Sequence, residues 1–183
     1  MTSPPPDASR PAELILERIP TPIGVALVAV DEAGALRAFD FEDYEPRMRT
    51  LMRRHYGDMP LTEGRAPAPV HGAMTRYFAG EMDALGDLPW KTNGTLFQRR
   101  VWAALMTIPA GETLSYKGLA ERIGSPSAMR AVGLANGANP VAVVVPCHRV
   151  IGSNGALTGY GGGLPRKTWL LRHEGAWFRD LAA

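Results

Sequence analysis

The chain has 183 residues, of which 45% are hydrophobic and 21% charged, a composition typical of a soluble globular protein. No apolar run approaches the roughly 20 residues that a membrane-spanning helix needs, and the N-terminus lacks the apolar region of a secretory signal. The single cysteine excludes an intrachain disulfide and a multi-cysteine zinc site. We therefore expect a reducing, cytoplasmic setting without a membrane.

Charge is unevenly distributed along the chain. Residues 1–94 carry 10 Lys and Arg against 14 Asp and Glu, a balance of −4, whereas residues 95–183 carry 10 against 4, a balance of +6. A basic half beside an acidic half favours a polyanionic partner such as nucleic acid. Ordinary scatter in charge is the alternative interpretation.

The sequence of the N-terminal half predicts a scaffold domain, one with a structural role and no catalytic residues. Residues 1–20 include a proline-rich stretch and are interpreted as a flexible tail, and residues 21–92 as a small α+β domain. Alternation and helical spacing predict, in chain order, strands over 23–30 and 35–41, helices over 44–56 and 70–78, and a strand over 85–90. We find no arrangement of residues in this half that carries chemistry.

Residues 93–183 predict a mainly helical second domain. Thr95 is positioned to cap the first of four helices, predicted over 96–107, 115–124, 126–136 and 164–174. Ser125 and Pro126 fit the start of the third helix, since serine caps helices and proline suits their first position. Two short helices joined by a tight turn are typical of a helix-turn-helix.

The third of these helices is rich in small residues, including Ala128, Ala131 and Gly133, and Arg130 is its only long polar side chain. Such a helix can approach a nucleic-acid backbone or minor groove closely but has few side chains for reading base edges. Packing of the same face against the protein core explains the pattern equally well. Both interpretations stay open at this level.

The stretch from Val141 to Val150 is the centre of the sequence. An apolar run over 141–145 predicts a buried strand that ends at Pro146 and presents Cys147 at the edge of a core. His148 and Arg149 follow at once, and both favour a thiolate. A buried structural cysteine is the simpler alternative.

Activation of Cys147 by its neighbour has a geometric requirement. Adjacent side chains on a strand point to opposite faces, so proton transfer to His148 needs a turn at the cysteine or a bridging water. A histidine base is usually oriented by a carboxylate, for which Glu174 and Glu112 are both candidates. A cysteine hydrolase also needs an oxyanion hole, which the sequence does not indicate.

The residues Pro146-Cys147-His148-Arg149-Val150 resemble the active-site signature of the O6-alkylguanine-DNA alkyltransferases, also called methylated-DNA–protein-cysteine methyltransferases. The resemblance covers residues 95–176 closely and residues 21–92 loosely. Further matching segments are Gly111-Glu112-Thr113-Leu114-Ser115-Tyr116, Arg130-Ala131-Val132-Gly133, Asn139-Pro140, Gly159-Tyr160 and Leu170-Leu171-Arg172-His173-Glu174-Gly175.

The resemblance implies a role for each matched residue. Cys147 accepts the alkyl group from guanine O6 and is not regenerated, His148 is the base acting through a water, and Glu174 orients it. Tyr116 donates to the guanine, and Arg130 fills the gap left by a flipped nucleotide. The resemblance further implies DNA contacts from Ser115, Ala128, Ala131 and Gly133, and a substrate pocket containing Asn139, Pro140, Val150, Tyr160 and Gly161.

The resemblance also implies the partner and the architecture. We expect an α/β (α+β) protein with a helix-turn-helix, acting as a monomer on the minor groove of double-stranded DNA that contains O6-alkylguanine, with cooperative binding left open. No cofactor and no metal are expected, because the cysteines that hold zinc in some relatives are absent. Gly161 stands where some relatives have a hydroxyl residue, which suggests a roomier pocket and adds O4-alkylthymine as a candidate substrate. The alternative function is a non-catalytic sensor of alkylated DNA with the same fold.

Overall fold

The computed structural model describes residues 10–179, which divide into two compact units. One unit comprises residues 10–93 and 140–144, and the other comprises residues 94–139 and 145–179. Residues 1–9 of the predicted tail lie outside the described part of the chain. The remainder of that prediction is wrong from Leu14 onwards, because Leu14–Thr21 forms strand β1.

The N-terminal unit is built on a four-stranded sheet with the order β3-β2-β1-β4. Strand β1 pairs antiparallel with β2 (Gly24–Val30), which pairs antiparallel with β3 (Leu36–Phe41), and β1 also pairs parallel with β4 (Leu61–Glu63). The predicted hairpin of β2 and β3 is therefore confirmed. The sheet also contains β1 and β4, two strands that the sequence patterns did not predict.

Two α-helices belong to this unit, α1 (Glu45–Tyr56) and α2 (Ala68–Phe78), close to the predicted ranges. The apolar side of α1 packs on the sheet because its large residues recur at helical spacing. The resulting core cluster consists of Leu14, Leu16, Leu27, Ala29, Ala38, Met48, Met52 and Tyr56. The predicted strand over 85–90 is wrong: the segment forms turns, and only Trp90 makes an isolated bridge, to Leu36.

The C-terminal unit is mainly helical, with α3 (Leu96–Leu105), α4 (Tyr116–Arg122), α5 (Met129–Gly137) and α6 (Leu164–His173). Thr95 caps α3 as predicted, and its hydroxyl accepts from the Gln98 backbone while the Gln98 side chain accepts from the Thr95 backbone. Such a reciprocal cap stabilises a helix by about 1 kcal/mol. Trp102 on α3 is fully buried and donates to the Ala135 carbonyl of α5 at 2.9 Å.

Helices α4 and α5 form the predicted helix-turn-helix, with one correction at the turn. Gly124 takes the left-handed conformation (φ 68°) that ends α4, a geometry that favours glycine. Helix α5 begins at Met129 with Ala128 as its N-cap, so Ser125 and Pro126 lie in the turn and do not start the helix.

The apolar run before the cysteine is not the predicted strand. Val141 makes a single bridge to Phe39, after which the chain turns, with Val143 at φ 68° and the Val144 amide donating to the Ala142 carbonyl at 2.8 Å. All five residues of 141–145 are nevertheless buried. The apolar composition therefore indicated burial correctly but not an extended backbone. Within residues 10–179, no helix combines the length and the apolar character needed to cross a bilayer.

Candidate active site

Cys147 opens a single 3-10 turn, Cys147–Arg149, that leads directly into strand β6 (Val150–Ile151). Successive side chains in a 3-10 helix are separated by about 120°, so Cys147 and His148 are not held on opposite faces as they would be in a strand. The Cys147 amide donates to the Val145 carbonyl at 2.8 Å, and the residue is 4% exposed. The turn required for cooperation between the cysteine and the histidine is present.

His148 is joined to a buried carboxylate. Its Nε2 lies 2.9 Å from Oε1 of Glu174, and the guanidinium of Arg149 donates to both oxygens of that carboxylate at 2.9 Å. Glu112 is exposed and does not bond to His148. Of the two candidate acids, Glu174 is the one that the fold brings to the histidine.

These contacts fix the protonation of the pair. Although burial raises the pKa of the Glu174 carboxyl, His148 and Arg149 hold that pKa well below its usual range. Burial lowers the pKa of His148, against the opposing effect of Glu174. An ionised carboxylate only accepts, so Nε2 of the neutral imidazole carries the proton and Nδ1 becomes an acceptor. Within residues 10–179, this buried Nδ1 has no hydrogen-bond partner.

Tyr116 lies at the start of α4, where the parallel pairing of β5 (Leu114–Ser115) with β6 brings it to the segment that carries Cys147. Its hydroxyl donates to the Thr158 carbonyl at 3.1 Å. Burial raises the pKa of the Tyr116 hydroxyl, and Cys147 adds to this effect. The phenol therefore stays protonated at neutral pH and can donate.

The predicted DNA-contacting residues lie along α4 and α5. Arg130 and Ala131 are exposed, Ala128 and Gly133 are half-buried, and the Ser115 hydroxyl caps α4 by accepting from the Gly118 amide at 2.9 Å. A cleft of about 540 Å³ opens beside them. It is lined by Tyr116, Met129, Arg130, Gly133, Leu134, Gly152, Ser153 and Thr158.

Four of the predicted pocket residues lie in the same unit as Cys147. Val150 and Asn139 are buried, and the Asn139 amide donates to the Val145 carbonyl at 2.8 Å. The ring of Tyr160 meets the ring of His148 edge to face, with centroids 6.5 Å apart, and Gly161 follows in a turn. The fifth, Pro140, belongs to the N-terminal unit, where its carbonyl accepts from the Phe39 amide at 2.9 Å.

The described residues provide no evident metal centre. Across residues 10–179, no group of three or more His, Cys, Asp or Glu side chains is arranged to hold a metal ion.

Comparison with known proteins identifies the family. A model of the 6-O-methylguanine DNA methyltransferase DNA-binding domain matches residues 96–176. The chain is 49% identical over 164 residues to the methylated-DNA–protein-cysteine methyltransferase of Shigella flexneri, covering 88% of this chain and 96% of that relative. The chain belongs to the methylated-DNA–protein-cysteine methyltransferase family.

Solved structures of the methyltransferase family share the fold. The crystal structure of the Mycobacterium tuberculosis O6-methylguanine methyltransferase is 42% identical with a TM-score of 0.72, covering 88% of this chain and 93% of that chain. The crystal structure of Mycobacterium tuberculosis OGT in complex with DNA is 39% identical with a TM-score of 0.73, covering 88% of this chain and 92% of that chain. The predicted fold class and family resemblance are confirmed.

Two side chains that the methyltransferase fold places at this site were not predicted from the sequence. Asn136 on α5 is buried and donates to the Cys147 carbonyl at 3.3 Å. Lys167 on α6 is also fully buried. Its spacing of three and four residues from Leu170 and Leu171 puts it on the inward side of α6, and this signal was available in the sequence.

Proposed function

We propose that this member of the methyltransferase family repairs DNA by direct reversal of damage, moving an alkyl group from guanine O6 to the sulfur of Cys147. O4-alkylthymine is a further candidate substrate. The observation that carries the proposal is the buried pair of Glu174 and His148 immediately beside the single cysteine, with the histidine Nδ1 available as an acceptor. The family relatives named above are methyltransferases for methylated DNA, which supports the same reaction here.

In the proposed reaction, His148 takes the thiol proton of Cys147 through a water molecule, and Glu174 stabilises the imidazolium that forms. The thiolate attacks the alkyl carbon in line, so that the S–C bond forms while the C–O6 bond breaks. The bonding pair goes to the guanine, which Tyr116 assists by donating its hydroxyl proton as charge develops. The imidazolium of His148 then gives up the thiol proton, which returns through water to the Tyr116 oxygen, so the guanine gains one proton overall and both side chains are restored. The thioether product resists hydrolysis, and each molecule reacts once.

The proposed partner is double-stranded DNA, approached from the minor groove by α5. Ala131 is exposed and Gly133 half-buried, and their small size lets α5 approach the DNA backbone closely, with Ser115 and Ala128 beside it. The exposed Arg130 occupies the gap in the base stack that the alkylated nucleotide leaves when it flips out of the duplex. Flipping the nucleotide costs a few kcal/mol. Phosphate contacts supply most of the affinity and little sequence preference.

The proposed pocket for the base and its alkyl group is formed by Val150, Tyr160 and Gly161, and Asn139 braces the chain before the cysteine. The pocket role of Pro140 stays a prediction. Because Gly161 has no side chain, we expect tolerance of groups larger than methyl.

The protein is proposed to act as a monomer, and cooperative binding along DNA stays a prediction. Because only a reduced thiol can accept the alkyl group, the proposed chemistry also requires a reducing, intracellular setting.

The deciding experiment is intact-protein mass spectrometry after incubation with a duplex that contains one O6-methylguanine. We expect a gain of one methylene per chain, mapped to Cys147, which stops at one equivalent. Cys147→Ser is the matched control and should show no gain while still binding the duplex. Tight binding by the native protein without any mass change would favour the damage sensor, and multiple turnovers on an ester or amide would favour a hydrolase.

A further inference from the structure

Val143 has a backbone conformation that is unusual for its residue type. Its φ is 68°, and among residues 10–179 it is the one residue other than glycine with a positive φ. Clashes of the β-carbon with the backbone make this region costly, most of all for a β-branched side chain. Residues held in such conformations cluster at active sites, and Val143 lies four positions before Cys147.

A hydrogen bond identifies this conformation as a γ-turn. The Val144 amide donates to the Ala142 carbonyl at 2.8 Å, which closes a three-residue turn centred on Val143. A γ-turn with a positive φ at its centre is rare and strained, whereas the form with a negative φ is common. The next turn, centred on Pro146 (φ −81°, ψ 63°), has the common form and leads into Cys147. Of these two turns, the one at Val143 carries the strain.

Two features hold the strained turn in place. The residues before it lie along β3, where the Phe39 amide donates to the Pro140 carbonyl at 2.9 Å and the Ala142 amide donates to the Phe39 carbonyl at 3.0 Å. Val143 itself is 2% exposed, so its two methyl groups are packed in the protein interior. A strained conformation persists only when its surroundings compensate for it. Here the backbone pairing on β3 and the burial of the side chain supply that compensation.

The turn lies where the chain passes from one unit to the other. Residues 140–144 belong to the N-terminal unit, and residues 145–179 belong to the C-terminal unit, which contains Cys147. Three residues separate Val143 from Cys147, so a rotation of the backbone at Val143 displaces the sulfur unless the residues between them readjust. The N-terminal unit therefore fixes the backbone from which the cysteine segment continues.

We propose that Val143 is a positioning residue, whose strained turn holds the segment up to Cys147 in the conformation in which the sulfur reaches the alkyl carbon. The inference rests on the proposed function for its purpose, because an in-line displacement needs the sulfur and the alkyl carbon aligned. A misplacement of about 1 Å at a reacting atom slows a reaction by about 100-fold. A glycine at this position adopts the same φ without steric cost, but it also admits other conformations, in which the sulfur is misplaced.

The first experiment tests the strain without DNA. Val143→Ala keeps the β-carbon and with it the steric conflict, whereas Val143→Gly removes the conflict, so we expect the glycine variant to unfold at the higher urea concentration. The same two substitutions at Val101, a fully buried residue of α3, are the matched control and should give the opposite order, because helices favour alanine. An equal or lower midpoint for Val143→Gly overturns the proposal. If a variant is unfolded in buffer alone, trimethylamine N-oxide is added to favour the folded state, and the order of the thermal midpoints decides.

The second experiment tests the positioning of the single cysteine. At a saturating concentration of an O6-methylguanine duplex, we expect single-turnover transfer by Val143→Gly to be about tenfold slower than by Val143→Ala, with equal affinity for the duplex. Modification by iodoacetamide should change in the opposite direction. Because Cys147 is 4% exposed, the reagent needs a local opening of the segment, which glycine makes more frequent. Equal rates of transfer, or of modification, in the two variants overturn the positioning role.

The results separate this inference from the proposed function. Methyl transfer by the native protein, with equal transfer rates in the two Val143 variants, retains the alkyltransferase and removes Val143 from its mechanism. If the native protein transfers no methyl group, the proposed alkyltransferase function is wrong. The order of the urea midpoints and the iodoacetamide rates then still decide whether the turn at Val143 is strained and whether it holds Cys147 in place.

Discussion

Replacement of Glu174 by glutamine tests the buried carboxylate most directly. The carboxylate accepts from His148 and twice from Arg149, all at 2.9 Å, and its side chain is completely buried. Glutamine has nearly the same shape but no charge, so Arg149 loses its ion pair and keeps two neutral acceptors, the glutamine oxygen and the Ile108 carbonyl. Breaking a buried ion pair on one side costs about 3–5 kcal/mol, and because these acceptors remain we expect a loss of about 3 kcal/mol in the free energy of unfolding.

The same substitution alters the histidine. A glutamine amide can donate to Nε2 of His148, which shifts the ring proton to Nδ1 and removes the acceptor that takes the thiol proton. General-base assistance is worth about 100-fold to 10,000-fold in rate. We expect methyl transfer by Glu174→Gln to be about 100-fold slower, measured by quenched single-turnover reactions with an O6-methylguanine duplex.

The pH dependence of stability gives an independent readout. The pKa of Glu174 in the folded state lies below its ordinary value of 4.5, so its stabilising contribution is complete above about pH 4.5 and is lost as the pH falls further. Urea denaturation of the native protein should show this loss, and Glu174→Gln should lack that component. The control is Glu121→Gln, an exposed carboxylate 3.9 Å from Lys117, which should change stability by less than about 0.5 kcal/mol. A native transfer rate together with a native pH profile in Glu174→Gln would refute the reasoning.

Three further changes probe separate parts of the site. Tyr116→Phe removes the hydroxyl that donates to Thr158 and to the proposed substrate, and should slow single-turnover transfer by about tenfold; an unchanged rate excludes the hydroxyl. Arg130→Ala should slow transfer from duplex DNA by at least about tenfold while leaving reaction with free O6-methylguanine base unchanged, and equal losses on both substrates contradict the stack-filling role. Asn139→Ala removes one of the two donors to the buried Val145 carbonyl, which still accepts from the Cys147 amide, and should lower the unfolding free energy by about 0.5–1.5 kcal/mol in urea denaturation, whereas an unchanged stability would contradict the bracing role of Asn139.

Local patterns predicted the regular elements well because their signals lie within a few residues. The spacing of apolar side chains indicated α1, α3 and α6, and Thr95 marked the start of α3. The alternating residues of β2 and β3 indicated the hairpin, because side chains of a strand point alternately to its two faces. Strand β1 was missed because residues 1–20 were interpreted as a tail from their proline-rich stretch, although β1 pairs with β2 across a short turn.

The apolar run before Cys147 shows where local pattern fails. Valine-rich sequence favours both burial and extended backbone, and the sequence does not separate the two. In the structure Val141 makes one bridge to Phe39 and the chain then turns at Val143, with every side chain still buried. The backbone conformation of this segment is therefore determined by packing against residues far away in the sequence, such as Phe39.

The chemistry that is available follows from the sequence alone: one cysteine after a proline, a histidine beside it, and a short helix rich in alanine and glycine. The family also follows from the sequence, through the Pro-Cys-His-Arg segment and the residues that accompany it. The carboxylate that serves His148 is identified by the packing of the folded chain, because Glu174 lies 26 positions away in the chain and 2.9 Å away in space. The same packing brings the ammonium of Lys167 to the Val150 carbonyl, 17 positions away. Distances between side chains far apart in sequence follow from the packing of whole elements, and no local pattern specifies them.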